Sequence, residues 1–291
     1  MQDRQPNVAS RLRAMAEIAR TLDPHPRLME WGAQHLGLDG DRLRDWAQRA
    51  WWGVAAGELA IGCLRNDTLR GEFLALMDPP DWRPVEAARA KGGVILATAH
   101  LGPRRTAMYY CFGERWPLMV WSHNGPGQPS LAYAHRMGVE VLDAMDPATS
   151  SFILGRTALH LRAGGLLLAA ADIASSARPL VIDRLGCSWR FSPGMPMLAR
   201  RLGVPVFLVF ALWRGLRLHI TVQALEPPAM DLPEEQWLHS WIGQYWDAME
   251  RIILSSPENL RFLRWLFSPE EAKALLAPAG IGLEGCNLSG T

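Results

Sequence analysis

The sequence predicts an α/β fold: a mainly parallel central sheet flanked by helices, with a helical N-terminal section. Three observations predict it. Apolar runs of strand length recur at Val94–Thr98, Pro117–Trp121, Leu166–Ala171 and Pro205–Phe210. Segments with helical periodicity alternate with them, which implies βαβ units and parallel strands. Residues 8–77 carry helical periodicity ahead of the first of those strands. With 291 residues, 49% apolar and 20% charged, the chain suffices for one large or two small globular domains. It contains no internal repeat and no dividing linker. It therefore reads as one α/β unit over residues 1–277, helical through residue 80, with a loosely ordered tail at 278–291.

Residues 8–77 read as two or three helices, clearest where Asp41-Arg42-Leu43-Arg44-Asp45-Trp46 leads into Ala50-Trp51-Trp52-Gly53-Val54 and Leu59-Ala60-Ile61. Tryptophans in an Ala-rich helix read as core; exposed, Trp51 and Trp52 would form a patch that touches a membrane. Asp78-Pro79-Pro80 closes this section. A short helix around Val85–Ala90 leads to the strand Val94–Thr98. Pro103 ahead of Arg104, Arg105 and Thr106 reads as a first helical turn, where a missing N–H costs nothing. Pro117–Trp121 is the next strand, Ser130–Met137 a helix and Val139–Leu142 a short strand. Ser151–Arg162 is a helix ended by Ala163-Gly164-Gly165, and the strand Leu166–Ala171 follows. Leu180–Phe191 has the pattern of a hairpin turning at Gly186. Ser192-Pro193-Gly194 opens a helix from Met195 to Leu202, closed by Gly203. Pro205–Phe210 is a strand, and Arg217–Val222 alternates as an edge or antiparallel strand does. A long helix runs from Glu234 to Leu254, and Pro257-Glu258-Asn259-Leu260 opens the last element.

Two of the strands end in a titratable side chain. His100 follows Val94–Thr98, and Asp172 follows Leu166–Ala171. Open α/β sheets hold ligands outside the carboxyl ends of their strands, and parallel neighbours would set both residues on one rim. A histidine there is placed for proton transfer, or else is a loop residue bonded to backbone. His123, in the loop run Ser122-His123-Asn124-Gly125-Pro126-Gly127, also follows a strand and reads first as facing solvent.

Composition excludes several classes. The formal net charge of +1 leaves no electrostatic footprint for nucleic acid. Cys63, Cys111, Cys187 and Cys286 stand far apart with no C-x-x-C pair, so neither a disulfide framework nor a structural zinc site is indicated. A reducing cytoplasm is the expected compartment. The N-terminal stretch lacks the apolar core of a signal peptide, and no run approaches the ~20 apolar residues that span a bilayer. No G-x-G-x-x-G follows a strand, and there is no Walker loop, G-x-S-x-G elbow or H-E-x-x-H. Nucleotide, serine-hydrolase and zinc-protease readings lose their usual support.

Four segments carry a resemblance: GGVILATAHLG around His100, LHLRAGGLLLAAADIA with Asp172, RLGCSWRFSPGMPMLARRLGVPVFLVFA from Arg184 to Ala211, and MERIILSSPENLRFLRW. In order and spacing, from about Leu43 to Phe267, the chain resembles the late acyltransferases of lipid A biosynthesis, the lauroyl and myristoyl transferases, within the lysophospholipid acyltransferase superfamily. The resemblance implies that His100, matching the histidine of H-x4-[DE], deprotonates a hydroxyl or amine acceptor that attacks the thioester of an acyl carrier protein or coenzyme A. No metal or redox cofactor is implied. Asp172 matches the family's strand-end acid, with Ile173 in place of the usual Gln. Arg105 stands where the H-x4-[DE] acid is expected, which makes it a site residue of altered charge. Ser122 and His123 stand where the family often has a basic residue. Arg184, Phe191 and Gly194 fall in the third segment as substrate-binding positions, and the N-terminal transmembrane helix of the family has no counterpart. Arg104, Arg105 and Arg178 are candidates to hold a carrier phosphate, or else form surface ion pairs. The expected protein is thus an acyltransferase of the cytoplasm or the inner-membrane surface. The alternatives are a catalytically dead scaffold of a biosynthetic pathway and a thioester hydrolase.

Overall fold

A computed structural model describes residues 7–104, 116–122, 134, 138–143, 150–172 and 179–260. The N-terminal section contains four helices rather than two or three: α1 (Val8–Thr21), α2 (Pro26–Leu36), α3 (Gly40–Arg65) and α4 (Asp67–Leu74). The extra break follows from capping. Asn66 alone separates α3 from α4, its side chain accepting the Thr68 and Leu69 N–H groups at the start of α4. An apolar stripe that continues across one residue hides such a break from periodicity. The α2 boundaries were better signposted, by Pro26 at its start and by Gly37, left-handed at φ 61°, at its end.

The remaining elements are β1 (Met77–Asp78), α5 (Arg83–Arg89), β2 (Val94–Thr98), β3 (Leu118–Ser122), β4 (Glu140–Asp143), α6 (Ser150–Arg162), β5 (Leu166–Ala170), β6 (Leu180–Arg184), β7 (Cys187–Phe191), α7 (Gly194–Leu202), β8 (Val206–Arg214), β9 (Arg217–Leu225) and α8 (Glu234–Ser255). A single 3₁₀ turn, Pro257–Asn259, follows. The main sheet has seven strands in the order β1-β9-β8-β2-β5-β3-β4. Strands β8, β2, β5, β3 and β4 run parallel, β9 is antiparallel to β8, and β1 joins β9 in parallel. The α/β architecture with a mainly parallel sheet is therefore the one the sequence predicts. Strand β1 escaped that reading because two residues carry no period. The expected Ser130–Met137 helix, apart from Ala134, and the 278–291 tail lie outside the described residues.

Strands β2 and β5 are buried on both faces, as apolar runs without alternation require. The same hydrophobic cluster takes in Val8, Leu12 and Met15 of α1, the tryptophans of α3 and those of α8. Trp51 and Trp52 belong to it, at 4% and 7% exposure. Trp52 meets Trp213 edge-on at 5.5 Å and donates to the Leu12 carbonyl. These indoles bind the helical section to the sheet, so the membrane-touching patch imagined for them does not form. Among the described residues no helix is long and apolar enough to cross a membrane.

Helix α3 also grips the end of the chain's described portion. Gly53 lies so close to the Glu258 carbonyl that a Cβ would collide with it, and Arg49 pairs with the Glu258 carboxylate at 2.7 Å. The neighbouring Asn259, fully buried, is then presented to the sheet.

Candidate active site

Register explains why the site forms. Strands β2 and β5 pair with Thr98 opposite Ala170. His100 and Asp172 each come two residues later, so the two chains leave the sheet side by side at the same height. The structure brings them into contact. Asp172 Oδ2 accepts the backbone N–H of His100 at 2.7 Å, and Asp172 Oδ1 lies 3.0 Å from His100 Nδ1. One carboxylate thus fixes both the backbone and the ring of the histidine. Both side chains are nearly enclosed, at 10% and 7% exposure.

Burial would by itself raise the pKa of Asp172. The charge and hydrogen bonds of His100 and the charge of Arg104 outweigh it and hold the carboxyl below its ordinary value. An ionised Asp172 favours the tautomer with the proton on Nδ1, which places the lone pair on Nε2, the atom that can accept a proton. This tautomer is inferred from the partners.

The loop that carries His100 is tied down on its far side. Gly102, left-handed at φ 53°, donates its N–H to the Asn259 carbonyl at 2.7 Å. A Cβ on Gly102 would run into the Ala211 carbonyl, so only glycine fits. Leu101 forms a β-bridge with Leu260. The Asn259 side chain accepts the Trp213 N–H at 2.7 Å and donates back to the Trp213 carbonyl at 3.2 Å. Beneath the pair, Tyr245 of α8 places its hydroxyl 2.6 Å from the Thr98 carbonyl and 3.3 Å from Asp172 Oδ1.

The other expected site residues fall into three groups. Arg104, half-buried, stands close enough for its charge to act on both Asp172 and Tyr245. Ser122 ends β3, buried, on the same rim, beside β5 and two strands from β2, roughly 10 Å from the latter at the usual strand spacing. Gly194 opens α7 beside Trp121 and Ser192, and a Cβ there would meet them only in ordinary contact. Phe191 ends β7. It is fully buried and packs edge-on against Tyr245 at 6.0 Å. Arg184 lies at the tip of the β6–β7 hairpin, exposed, four residues of strand from the Phe191 end. That tip docks on α2, where His35 Nδ1 lies 3.2 Å from the Leu185 carbonyl and 3.3 Å from Cys187 Sγ. Arg105, His123 and Arg178 lie outside the described residues.

Tyr245 and Asn259 were not singled out from sequence. Trp237, Trp241 and Tyr245 recur every four residues and read as a core stripe. The usable signal was that a tyrosine in such a stripe needs a partner for its hydroxyl. Asn259 follows Ser-Pro-Glu and looks like a turn residue. A cleft of about 450 Å³ between α1, α3 and the β8–β9 turn, lined by Arg13, Arg49, Trp52 and Leu216 among others, includes neither member of the pair. Among the described residues no cluster of three or more His, Cys, Asp or Glu could hold a metal ion.

No family model matches the chain. Among curated proteins it is similar to the Vi polysaccharide export protein VexE of Salmonella typhi, with 24% identity over 255 residues, covering 81% of this chain and 36% of that protein. The chain therefore spans about a third of the length of the curated relative it matches.

Proposed function

We propose that the chain is an acyltransferase that moves an acyl group from a thioester carrier, an acyl carrier protein or coenzyme A, to a hydroxyl or amine acceptor. The observation that supports this reading is the His100–Asp172 pair at adjacent strand tips. Arg105 removes the acid of H-x4-[DE], and Asp172 supplies a carboxylate to the same imidazole from the neighbouring strand. In the proposed reaction, Nε2 of His100 takes the acceptor proton as the acceptor oxygen or nitrogen attacks the thioester carbonyl. Asp172 stabilises the imidazolium. The tetrahedral intermediate collapses with cleavage of the C–S bond, and the imidazolium returns the proton to the departing thiolate. No resident cofactor enters the balance. The name of the relative places that protein in polysaccharide export, which makes a saccharide hydroxyl the first acceptor to test. The proposed location is the cytoplasm, with peripheral contact at the inner membrane.

The test is acyl transfer from acyl-coenzyme A and acyl carrier protein, read by mass spectrometry of the acceptor, with folding checked by circular dichroism. His100→Ala should reduce transfer by about 10³-fold or more and Asp172→Asn by about 10²–10⁴-fold. Wild-type rates in His100→Ala would refute the assignment. Arg105 favours a second reading, a binding or scaffold subunit. That reading predicts no transfer or thioester hydrolysis with any donor and a gain of transfer in Arg105→Glu.

A further inference from the structure

Tyr245 is far in sequence from both strand tips, yet its hydroxyl touches each of them. Thr98 is the last residue of β2, and Asp172 lies two past the end of β5. A phenol has one proton, and neither a carbonyl nor a carboxylate has one to offer, so two acceptors compete for a single O–H. The ring cannot swing away. It is fully buried, stacked on Trp241 at 5.7 Å and met edge-on by Phe191 at 6.0 Å. Burial, and then the charge of Asp172, push its ionisation well above the ordinary value, so the hydroxyl remains a donor.

We propose that Tyr245 is a positioning residue of the His100–Asp172 pair, its phenol joining the tips of β2 and β5 and tuning the carboxylate that the imidazole senses. With His100 neutral, Asp172 carries an unneutralised charge and attracts the phenolic proton. With His100 protonated, the imidazolium neutralises the carboxylate and the proton returns to the Thr98 carbonyl. The phenol thereby favours neutral imidazole, the form that accepts a proton. The inference rests on the proposed acyl transfer only for what that base is used for.

The test is an ¹⁵N-histidine NMR titration of the full chain, with the His100 signals assigned from His100→Gln. Tyr245→Phe removes the competing donor and should raise the His100 midpoint by about half a pH unit or more, whereas Asp172→Asn should lower it. An unchanged or lowered midpoint in folded Tyr245→Phe overturns the proposal. So does an Asp172→Asn variant without the drop. If Tyr245→Phe does not fold, 3-fluorotyrosine at position 245, a stronger donor of nearly the same size, must lower the midpoint, and failure to do so overturns the proposal equally. Because the titration needs no turnover, an inactive wild-type protein would sink the proposed function while leaving this result intact.

Discussion

Asp172 shows how the neighbours of a buried carboxylate set its charge. Left alone in the interior, a carboxylate would protonate; here the His100 N–H, the His100 ring and the charge of Arg104 keep it ionised. A group whose pKa is lower in the folded than in the unfolded chain stabilises the fold above its ordinary value. That contribution is lost as pH falls through the folded value. Asp172→Asn should therefore destabilise the protein by about 1–3 kcal/mol near neutrality, from lost charge-assisted hydrogen bonds. The difference from wild type should shrink below about pH 4, where the unfolded chain begins to take up the proton. Urea midpoints measured from neutrality down to the acid limit of folding check this. A difference that stays constant across that range would mean that Asp172 is not ionised by its neighbours.

At the level of elements, what was legible followed from burial. Strands enclosed on both faces must be continuous apolar runs, so β2 was placed to the residue and β5 to within one, and their polar ends stood out as His100 and Asp172. The partnership of those ends was also readable, because parallel neighbours with matched lengths share a rim. Features that depend on one backbone contact were not legible. The α3–α4 break rests on Asn66, β1 on two residues, and the hold on the His100 loop on Asn259. That asparagine is the most exacting of them, since it joins β8, the His100 loop and, through Glu258, helix α3. Asn259→Ala would leave the Trp213 N–H and carbonyl without their side-chain partner in the interior. At about 1–3 kcal/mol for each orphaned group, the expected loss is about 2–6 kcal/mol in denaturant unfolding. Asn259→Asp should be nearly as damaging, because it keeps the acceptor but loses the donor to the Trp213 carbonyl. A cost within about 0.5 kcal/mol for either variant, the range of an ordinary surface substitution, would show that the clamp is not a structural tie.

For the molecule as a whole, the decisive feature is that the N-terminal helices and the sheet share one hydrophobic cluster. Large side chains of these helices join that cluster: Trp52 meets Trp213 at 5.5 Å, and Phe73 meets the same indole at 6.2 Å. Trp213 sits in β8, next to the strand that carries His100. Removing α1–α4 would expose that apolar face, and removing the sheet would strip the helices of the surface their tryptophans fill. Two regions that share one core unfold together when the contact between them carries much of the stability of each. The chain should accordingly show a single unfolding transition in urea, with far-UV circular dichroism, which weighs all helices, coinciding with tryptophan fluorescence, which weighs the indole-rich contact between the halves. Trp52→Ala removes a buried indole at that contact and should cost about 3–5 kcal/mol while leaving the two transitions coincident. Curves that separate in the wild type, with fluorescence changing at lower urea, would mean that the helical section detaches first. The hold of α3 on Glu258 and Asn259, and through them on the His100 loop, would then be a docking contact independent of the sheet's own stability.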